Sequence, residues 1–374
     1  MAIFFPEYDH SILSVVSSFM NAFGVACPHN RLQLLDDPLS KSHKNTIFLL
    51  LDGLGSEYFD QLLPGDGFLR QHKIADLSSV YPCTTTAATT TLSSGLSPLE
   101  HGWLGWSPWF REYGRVIDLF LDRDSYSGAP VAPSPGKLLM PYHDIIPLIN
   151  QVAGTDLGIH RLMPSFSPDG FGSLETMLVR AREICGLDGP QMILAYWHQP
   201  DTLMHNDGPF SESVRRDLAL TDARLGDFFQ SIEDSLLIVT ADHGHTPIER
   251  EIFLDEIAEL NDCLILPPSL ETRAVSLFVK PSCKAEFAAR FEDQFAESFL
   301  LLTHESVFQR GLFGPGTPHR KVDDFIGDFL ACGIGHSIIR YHTPFNRPHT
   351  PFLGHHAGLR REEMIVPLVV ATAK

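Results

Sequence analysis

The segment TIFLLLDG, residues 46–53, contains a short apolar run that stops at Asp52-Gly53. The run is shorter than a typical helix, and a glycine follows it, so we predict a buried β-strand. In an open α/β sheet, active sites lie beyond the carboxyl ends of the strands. Asp52 is therefore the first candidate for a functional side chain.

Five further segments have the composition of strands, and helical patterns at 174–185 and 212–231 separate some of them. The five are 74–81, 191–197, 235–241, 273–280 and 364–371. In the last, Pro367 indicates an edge position, because proline lacks the N–H that a central strand donates. The alternation of strands and helices predicts an α/β protein with a mainly parallel central sheet and helices on both faces.

Residues 281–350 differ in composition from the rest of the chain. They include GLFGPGTPH and YHTPFNRPHTP, which are rich in glycine and proline. We interpret them as a small α+β insert or cap. The prediction is a single catalytic domain, residues 1–374, that carries this insert.

Composition and charge limit the classes of partner. The formal net charge is -18, so the surface repels nucleic-acid polymers, although bound cations would still allow a small anionic substrate. The six cysteines are scattered and form no CxxC pair, which favours free thiols in a reducing compartment. No basic leader and no run of eighteen apolar residues occur, so we expect no signal peptide, no membrane span and a cytoplasmic location.

Polar side chains with metal-binding chemistry follow the predicted strands. They are Asp52 after 46–51, Thr84, Thr85 and Thr86 after 74–81, Asp201 and His205 after 191–197, Asp242 and His243 after 235–241, and His355 and His356 near the terminus. Taken singly, an aspartate after a strand is more often a turn residue or helix cap. Together, three carboxylates and three imidazoles suffice for two catalytic zinc sites. Two metal ions ~3.5–4 Å apart can clamp the attacking and leaving oxygens of a phosphoryl transfer.

Five motifs in these regions resemble the alkaline phosphatase superfamily, and most closely its nucleotide pyrophosphatase/phosphodiesterase branch. They are LLLDGLG at 49–55, YPCTTTAATTTLSSGLSPLEHG at 81–102, PDTLMHNDGP at 200–209, TADHG at 240–244 and GHHAGL at 354–359. The motifs occur in the order found in that family, and the resemblance runs from near residue 46 to the C-terminus. It implies the alkaline phosphatase-like fold.

The resemblance also implies a role for each matching residue. Asp52, Asp242 and His243 would hold one zinc ion. Asp201, His205 and His356 would hold the other. His356 is preferred to His355 because the family pattern is Gly-X-His followed by two small residues, and His355 is the fallback. Thr85 would be the nucleophile and would contact the metals. Independently, zinc can activate a hydroxyl, and a helix that begins just after Pro82 would present N–H groups to a phosphoryl group.

The implied activity is hydrolysis of phosphodiester or pyrophosphate bonds in a small substrate, nucleotides among the candidates, through a phosphothreonine on Thr85. Two divalent metal ions are implied, zinc fitting the ligands best, although manganese or iron would be tolerated. Alternatives are a phosphomonoesterase or phosphonate hydrolase on the same site, and a metal-binding scaffold without activity.

Some positions depart from the patterns of relatives. Trp106 stands where phosphodiesterase relatives carry an asparagine that touches the phosphoryl group; either its indole N–H donates instead or another group does. Trp106 belongs to a tryptophan cluster that could stack an aromatic group or, more simply, pack the core.

The Thr85 region lacks an arginine that could bind a dianionic monoester, which favours diesters as substrates. Arg273 could supply that contact or form a surface salt bridge. Cys83 does not begin the Cys-X-Pro-X-Arg motif of sulfatases.

Overall fold

The computed structural model describes residues 2–139, 145–153, 156–342 and 351–374. The chain forms two compact units, and it passes between them several times. The large-sheet unit comprises Glu7–Ser79, Asp144–His245 and Ile365–Lys374. The small-sheet unit comprises Met1–Pro6, Val80–His143 and Thr246–Met364.

The large-sheet unit is built on a six-stranded sheet. Its strands, in spatial order, are Lys73–Ser78, Ile365–Ala373, Ser235–Thr240, Asn45–Leu51, Gln191–Trp197 and Gly158–Leu162. The last four are mutually parallel, and only Ile365–Ala373 runs antiparallel to both neighbours. The predicted mainly parallel α/β sheet is confirmed.

Helices flank this sheet, and the predicted segments 174–185 and 212–231 are among them. The α-helices of the unit are Ile12–Ala22, Asp36–Ser40, Ser56–Leu62, Phe68–His72, Ile145–Ala153, Leu174–Cys185, Asp201–Asp207 and Glu212–Gln230. Ser235–Thr240 is buried along its whole length, as a strand covered on both faces should be. None of the helices in the described parts of the chain is long and apolar enough to span a membrane.

Three strand predictions need correction. Residues 274–277 form a strand, but in a separate antiparallel sheet. Strand Ile365–Ala373 lies between two neighbours, so the edge position inferred from Pro367 was wrong. Proline is tolerated because Ile365–Leu368 pairs only with Lys73–Ser78, and pairing with Ser235–Thr240 begins at Val369. The sequence analysis also missed the edge strand Gly158–Leu162.

In its described residues, the small-sheet unit contains four small sheets. Their strands are Ser269–Leu270, Ala274–Leu277, Phe329–Gly333 and Phe299–Thr303; Arg250–Phe253 and Ser337–Arg340; Thr246–Pro247 and Gly354–His355; and Trp109–Phe110, Arg115–Asp118 and Arg123–Asp124. Its α-helices are Thr85–Ser94, Pro98–His101, Ala258–Asn261, Lys284–Phe295, His304–Gln309, Val322–Phe325 and Arg361–Met364. Most of the predicted cap belongs to this unit, and its end, 343–350, lies outside the described residues.

Candidate active site

Asp52 is placed by the backbone at the carboxyl end of the central strand Asn45–Leu51. Its N–H donates to the carbonyl of Trp197 at 2.9 Å, and its own carbonyl accepts the N–H of Asp201 at 3.0 Å. Gly53 follows with φ +78°, and a Cβ at this position would lie 2.8 Å from the Cα of Asp201. Glycine is therefore required for the end of this strand to meet the Asp201 helix.

The first cluster consists of Asp52, Asp242 and His243. Nε2 of His243 lies 3.4 Å from Oδ1 of Asp52 and 3.4 Å from Oδ2 of Asp242. Ligand atoms on one tetrahedral zinc, each bound at ~2.0–2.1 Å, are separated by about 3.3 Å. The three side chains therefore already have the spacing of a metal site.

Hydrogen bonds orient the ligand atoms of this cluster. Oδ1 of Asp242 accepts the N–H groups of Gly53 and His243, at 3.1 and 3.0 Å. Nδ1 of His243 donates to the carbonyl of Gly244 at 3.0 Å, which leaves the lone pair on Nε2. Oδ1 of Asp52 and Oδ2 of Asp242 are buried and have no hydrogen-bond partner among the described residues. These atoms fit a divalent cation, whose ligation would satisfy both oxygens.

The raised pKa values of the two aspartates in the first cluster also favour a bound cation. Burial, and then the charge of Asp242, raises the pKa of Asp52 well above its usual range. Burial raises the pKa of Asp242 as well. The hydroxyl of Tyr196 donates to Oδ2 of Asp52, a contact that the sequence analysis did not predict. A metal ion would remove the cost of keeping two neighbouring carboxylates ionised.

The second cluster is centred on Asp201. Helix Asp201–Asp207 places His205 one turn after Asp201, with its Nε2 3.3 Å from Oδ1 of Asp201. His245, which the sequence analysis missed, lies 2.8 Å from the same oxygen through its Nε2. Although burial opposes ionisation, the charges and hydrogen bonds of His205 and His245 hold the pKa of Asp201 well below its usual range. Burial lowers the pKa of His245 to about 3, so its imidazole is neutral.

Thr85 lies in the small-sheet unit as the first residue of helix Thr85–Ser94. Thr84 is the extended N-cap residue, and Gly95 ends the helix with φ +70°. The hydroxyl of Thr84 donates to Oε1 of Glu271 at 2.8 Å, and the N–H of Trp106 donates to the same oxygen at 2.7 Å. A carboxylate is thus anchored beside the start of this helix.

His356 also belongs to the small-sheet unit. Its Nδ1 donates to the carbonyl of Cys83 at 3.2 Å, which leaves the lone pair on Nε2, as a metal ligand requires. His355 is oriented differently, because its Nδ1 accepts the N–H of His356 at 2.9 Å and its Nε2 contacts the hydroxyl of Thr272 at 3.1 Å. These hydrogen bonds favour His356 over His355 as the ligand in the loop 354–359.

Two interpretations of the sequence are resolved by burial. Arg273 is fully buried and bound to Glu363 and to the carbonyl of Ser337, so it does not form the surface salt bridge considered above. In the tryptophan cluster, Trp103 packs in the core, whereas Trp106 is 36% exposed and meets Phe120 edge-to-face.

Comparison of the sequence with protein-family patterns identifies the family of the chain. The pattern of the type I phosphodiesterase/nucleotide pyrophosphatase family matches residues 46–293. The chain belongs to this family. A search among curated proteins returned no match to the chain.

Solved structures with the same fold include members of this family and a phosphonate hydrolase. Murine ectonucleotide pyrophosphatase/phosphodiesterase 5, as an inactive threonine-to-alanine variant with AMP, is 18% identical, with a TM-score of 0.65 over 88% of this chain and 87% of that one. The human counterpart is 18% identical, with a TM-score of 0.65 over 87% of each chain. Phosphonoacetate hydrolase from Sinorhizobium meliloti 1021, with phosphonoacetate, is 15% identical, with a TM-score of 0.61 over 88% of this chain and 90% of that one.

Proposed function

We propose that the chain is a two-metal phosphodiesterase that cleaves phosphodiester or pyrophosphate bonds in small substrates, nucleotides among them. One divalent ion would be held by Asp52, Asp242 and His243. The other would be held by Asp201, His205 and His356. Thr85 would be the nucleophile that attacks phosphorus. Zinc is the proposed metal because imidazole and carboxylate ligands in sets of three suit catalytic zinc.

The observation that carries the proposal is the convergence of His243, Asp52 and Asp242. Oδ1 of Asp52 and Oδ2 of Asp242 each lie 3.4 Å from Nε2 of His243, and neither has a hydrogen-bond partner in the parts of the chain that the structure describes. Native proteins seldom leave two buried carboxylate oxygens unsatisfied, because desolvation without compensation is costly. A resident cation would satisfy both oxygens and balance their negative charge.

The chemistry of the chain's own residues follows from these roles. Oγ1 of Thr85 loses its proton and forms a bond to phosphorus while the bond to the leaving oxygen breaks; the leaving oxygen takes up a proton from water and is released as an alcohol or nucleotide. Water then attacks the phosphothreonine, breaks its P–O bond to Thr85 and regenerates the hydroxyl. The bound ions would lower the pKa of the attacking hydroxyl and neutralise charge that develops on the phosphoryl oxygens. The N-terminus of helix Thr85–Ser94 contributes N–H donors to the same oxygens.

Charge near Thr85 favours diesters over monoesters. Helix Thr85–Ser94, TTAATTTLSS, contains no lysine or arginine to bind a dianionic group. Glu271, anchored to Thr84, adds a negative charge, and the guanidinium of Arg273 is committed to Glu363. A diester carries one negative charge fewer than a monoester, so it is disfavoured less in these surroundings. Phosphomonoester or phosphonate hydrolysis remains the alternative.

Two further facts support the proposal. The inactive murine relative carries a threonine-to-alanine substitution and was solved with AMP. The net charge of -18 favours a small substrate over a nucleic-acid polymer, because a polyanion would be repelled by the surface as a whole.

Side-by-side assays of zinc-loaded protein test the proposed function. Bis-p-nitrophenyl phosphate should be turned over faster than p-nitrophenyl phosphate, and Thr85→Ala should lower kcat by at least about 10³-fold. Thr89→Ala is the matched control, since it makes the same change one turn later in the same helix and should retain most activity. Equal or faster monoester turnover would favour the alternative enzyme. No activity in the wild type, or activity indifferent to Thr85→Ala, would refute the mechanism.

A further inference from the structure

His245 has a well-defined place beside Asp201. It follows the Asp242-His243-Gly244 turn, and its side chain is fully buried. Its Nε2 lies 2.8 Å from Oδ1 of Asp201. Its ring packs edge-on against the ring of His205, with 4.7 Å between the ring centroids. The hydroxyl of Tyr58 donates to the backbone carbonyl of His245 at 2.9 Å, which fixes the main chain at this position.

The distances separate two roles for this imidazole. Two ligand atoms on one tetrahedral zinc lie about 3.3 Å apart. Nε2 of His205 is 3.3 Å from Oδ1 of Asp201, which matches that separation. Nε2 of His245 is 2.8 Å from the same oxygen, which is the distance of a charge-assisted N–H···O hydrogen bond. An ionised carboxylate can only accept, so Nε2 of His245 carries the proton and its lone pair is on Nδ1.

We infer that His245 is a positioning residue that holds the carboxylate of Asp201 toward its metal, and that it is not a fourth ligand. The inference rests on the proposed metal-binding role of Asp201 and His205. A hydrogen bond to a ligating carboxylate fixes its rotamer, so the ligand pair is formed before the ion arrives. Asp201 begins a helix of only seven residues, and His245 restrains the orientation of its side chain from a different part of the chain.

Zinc binding to purified wild type, His245→Gln, His245→Ala and His205→Ala tests this role without an activity assay. Competition with a chromophoric chelator would give the stoichiometry and affinity of each protein. Glutamine retains an N–H donor near the position of Nε2 but is a poor zinc ligand. We expect His245→Gln to bind zinc within about threefold of the wild type, and His245→Ala to bind two ions, one of them with an affinity reduced about 10- to 100-fold. His205→Ala should lose one ion.

Two results would overturn the inference and leave the proposed function intact. If both His245 variants lost one ion as His205→Ala does, His245 would be a ligand. If His245→Ala bound both ions with wild-type affinity, His245 would have no role toward the metal. A wild type that binds no zinc would refute the proposed function itself. Far-ultraviolet circular dichroism of each variant would establish that the fold is retained.

Discussion

Arg273 binds Glu363 through two hydrogen bonds of 2.7 Å, and neither side chain is exposed to solvent. Oε1 of Glu363 also accepts the N–H of Gly358 at 2.8 Å. Gly358 lies in the loop 354–359 that carries His356. The ion pair therefore anchors the loop that carries the proposed metal ligand His356.

Glu363→Gln should destabilise the protein strongly. The variant removes one charge and leaves the Arg273 guanidinium buried without its counter-ion, which typically costs about 3–5 kcal/mol. Thermal unfolding, followed by circular dichroism, would measure the change. Glu183→Gln is the matched control, because it disrupts the exposed pair with Arg180 and should change stability by less than about 1 kcal/mol. Equal effects of the two variants would contradict the anchoring role.

Asp52→Asn should stabilise the metal-free protein while it weakens metal binding. Because burial and Asp242 raise the pKa of Asp52 in the folded state, the wild type loses stability as the pH rises from the unfolded pKa, ~3.9, through the raised folded pKa. Asparagine does not ionise and avoids this loss. In the presence of chelator at pH 7, we expect a higher Tm for the variant, by about 1–2 °C for each 1 kcal/mol of stabilisation.

The pH and metal dependence of that Tm difference provide the controls. The difference should shrink toward pH 4, where the wild-type carboxyl is protonated, and should reverse in excess zinc, because the variant has lost a charged ligand. Asp293→Asn, on the exposed face of helix Lys284–Phe295, should change Tm little under any of these conditions. A metal-free Asp52→Asn protein that melts below the wild type at pH 7 would argue against the repulsive carboxylate cluster.

Glu271→Gln should relax the preference for diesters. Glutamine retains an acceptor oxygen for the hydroxyl of Thr84 and the N–H of Trp106, but it removes the negative charge beside the nucleophile helix. The ratio of monoester to diester kcat/KM should rise roughly 3- to 10-fold, equivalent to about 1 kcal/mol of charge repulsion. An unchanged ratio would show that Glu271 acts only as a structural acceptor.

The strand ends were predictable from the sequence because short apolar runs terminate at polar residues. Asp52, Asp201 and Asp242 each follow a strand of the central sheet, and the parallel pairing of those strands brings their carboxyl ends to one edge. The position of His205 followed from helical spacing, since residues four apart share a face. The residue pattern therefore predicted that these side chains lie at one edge of the sheet, and their role as metal ligands stays a prediction.

Other features depended on tertiary contacts that the local sequence does not encode. The hydrogen bond from His245 to Asp201 joins residues 44 positions apart, although its place three residues after Asp242 was a signal that could have drawn attention. The partner of Arg273 lies 90 residues away, so its burial could not be inferred from a polar residue near the start of a strand. Strand Gly158–Leu162 was missed because GIHRL, an edge strand, lacks a continuous apolar run.

The number of divalent ions bound per chain tests the central claim most directly. Elemental analysis of protein purified in zinc should give two ions in the wild type, one in Asp242→Ala and one in His205→Ala, because the variants remove ligands from different clusters. Loss of one ion in each variant, with one ion retained, would support two three-ligand sites. A wild type with no tightly bound metal, or a metal content unchanged by both substitutions, would contradict the account.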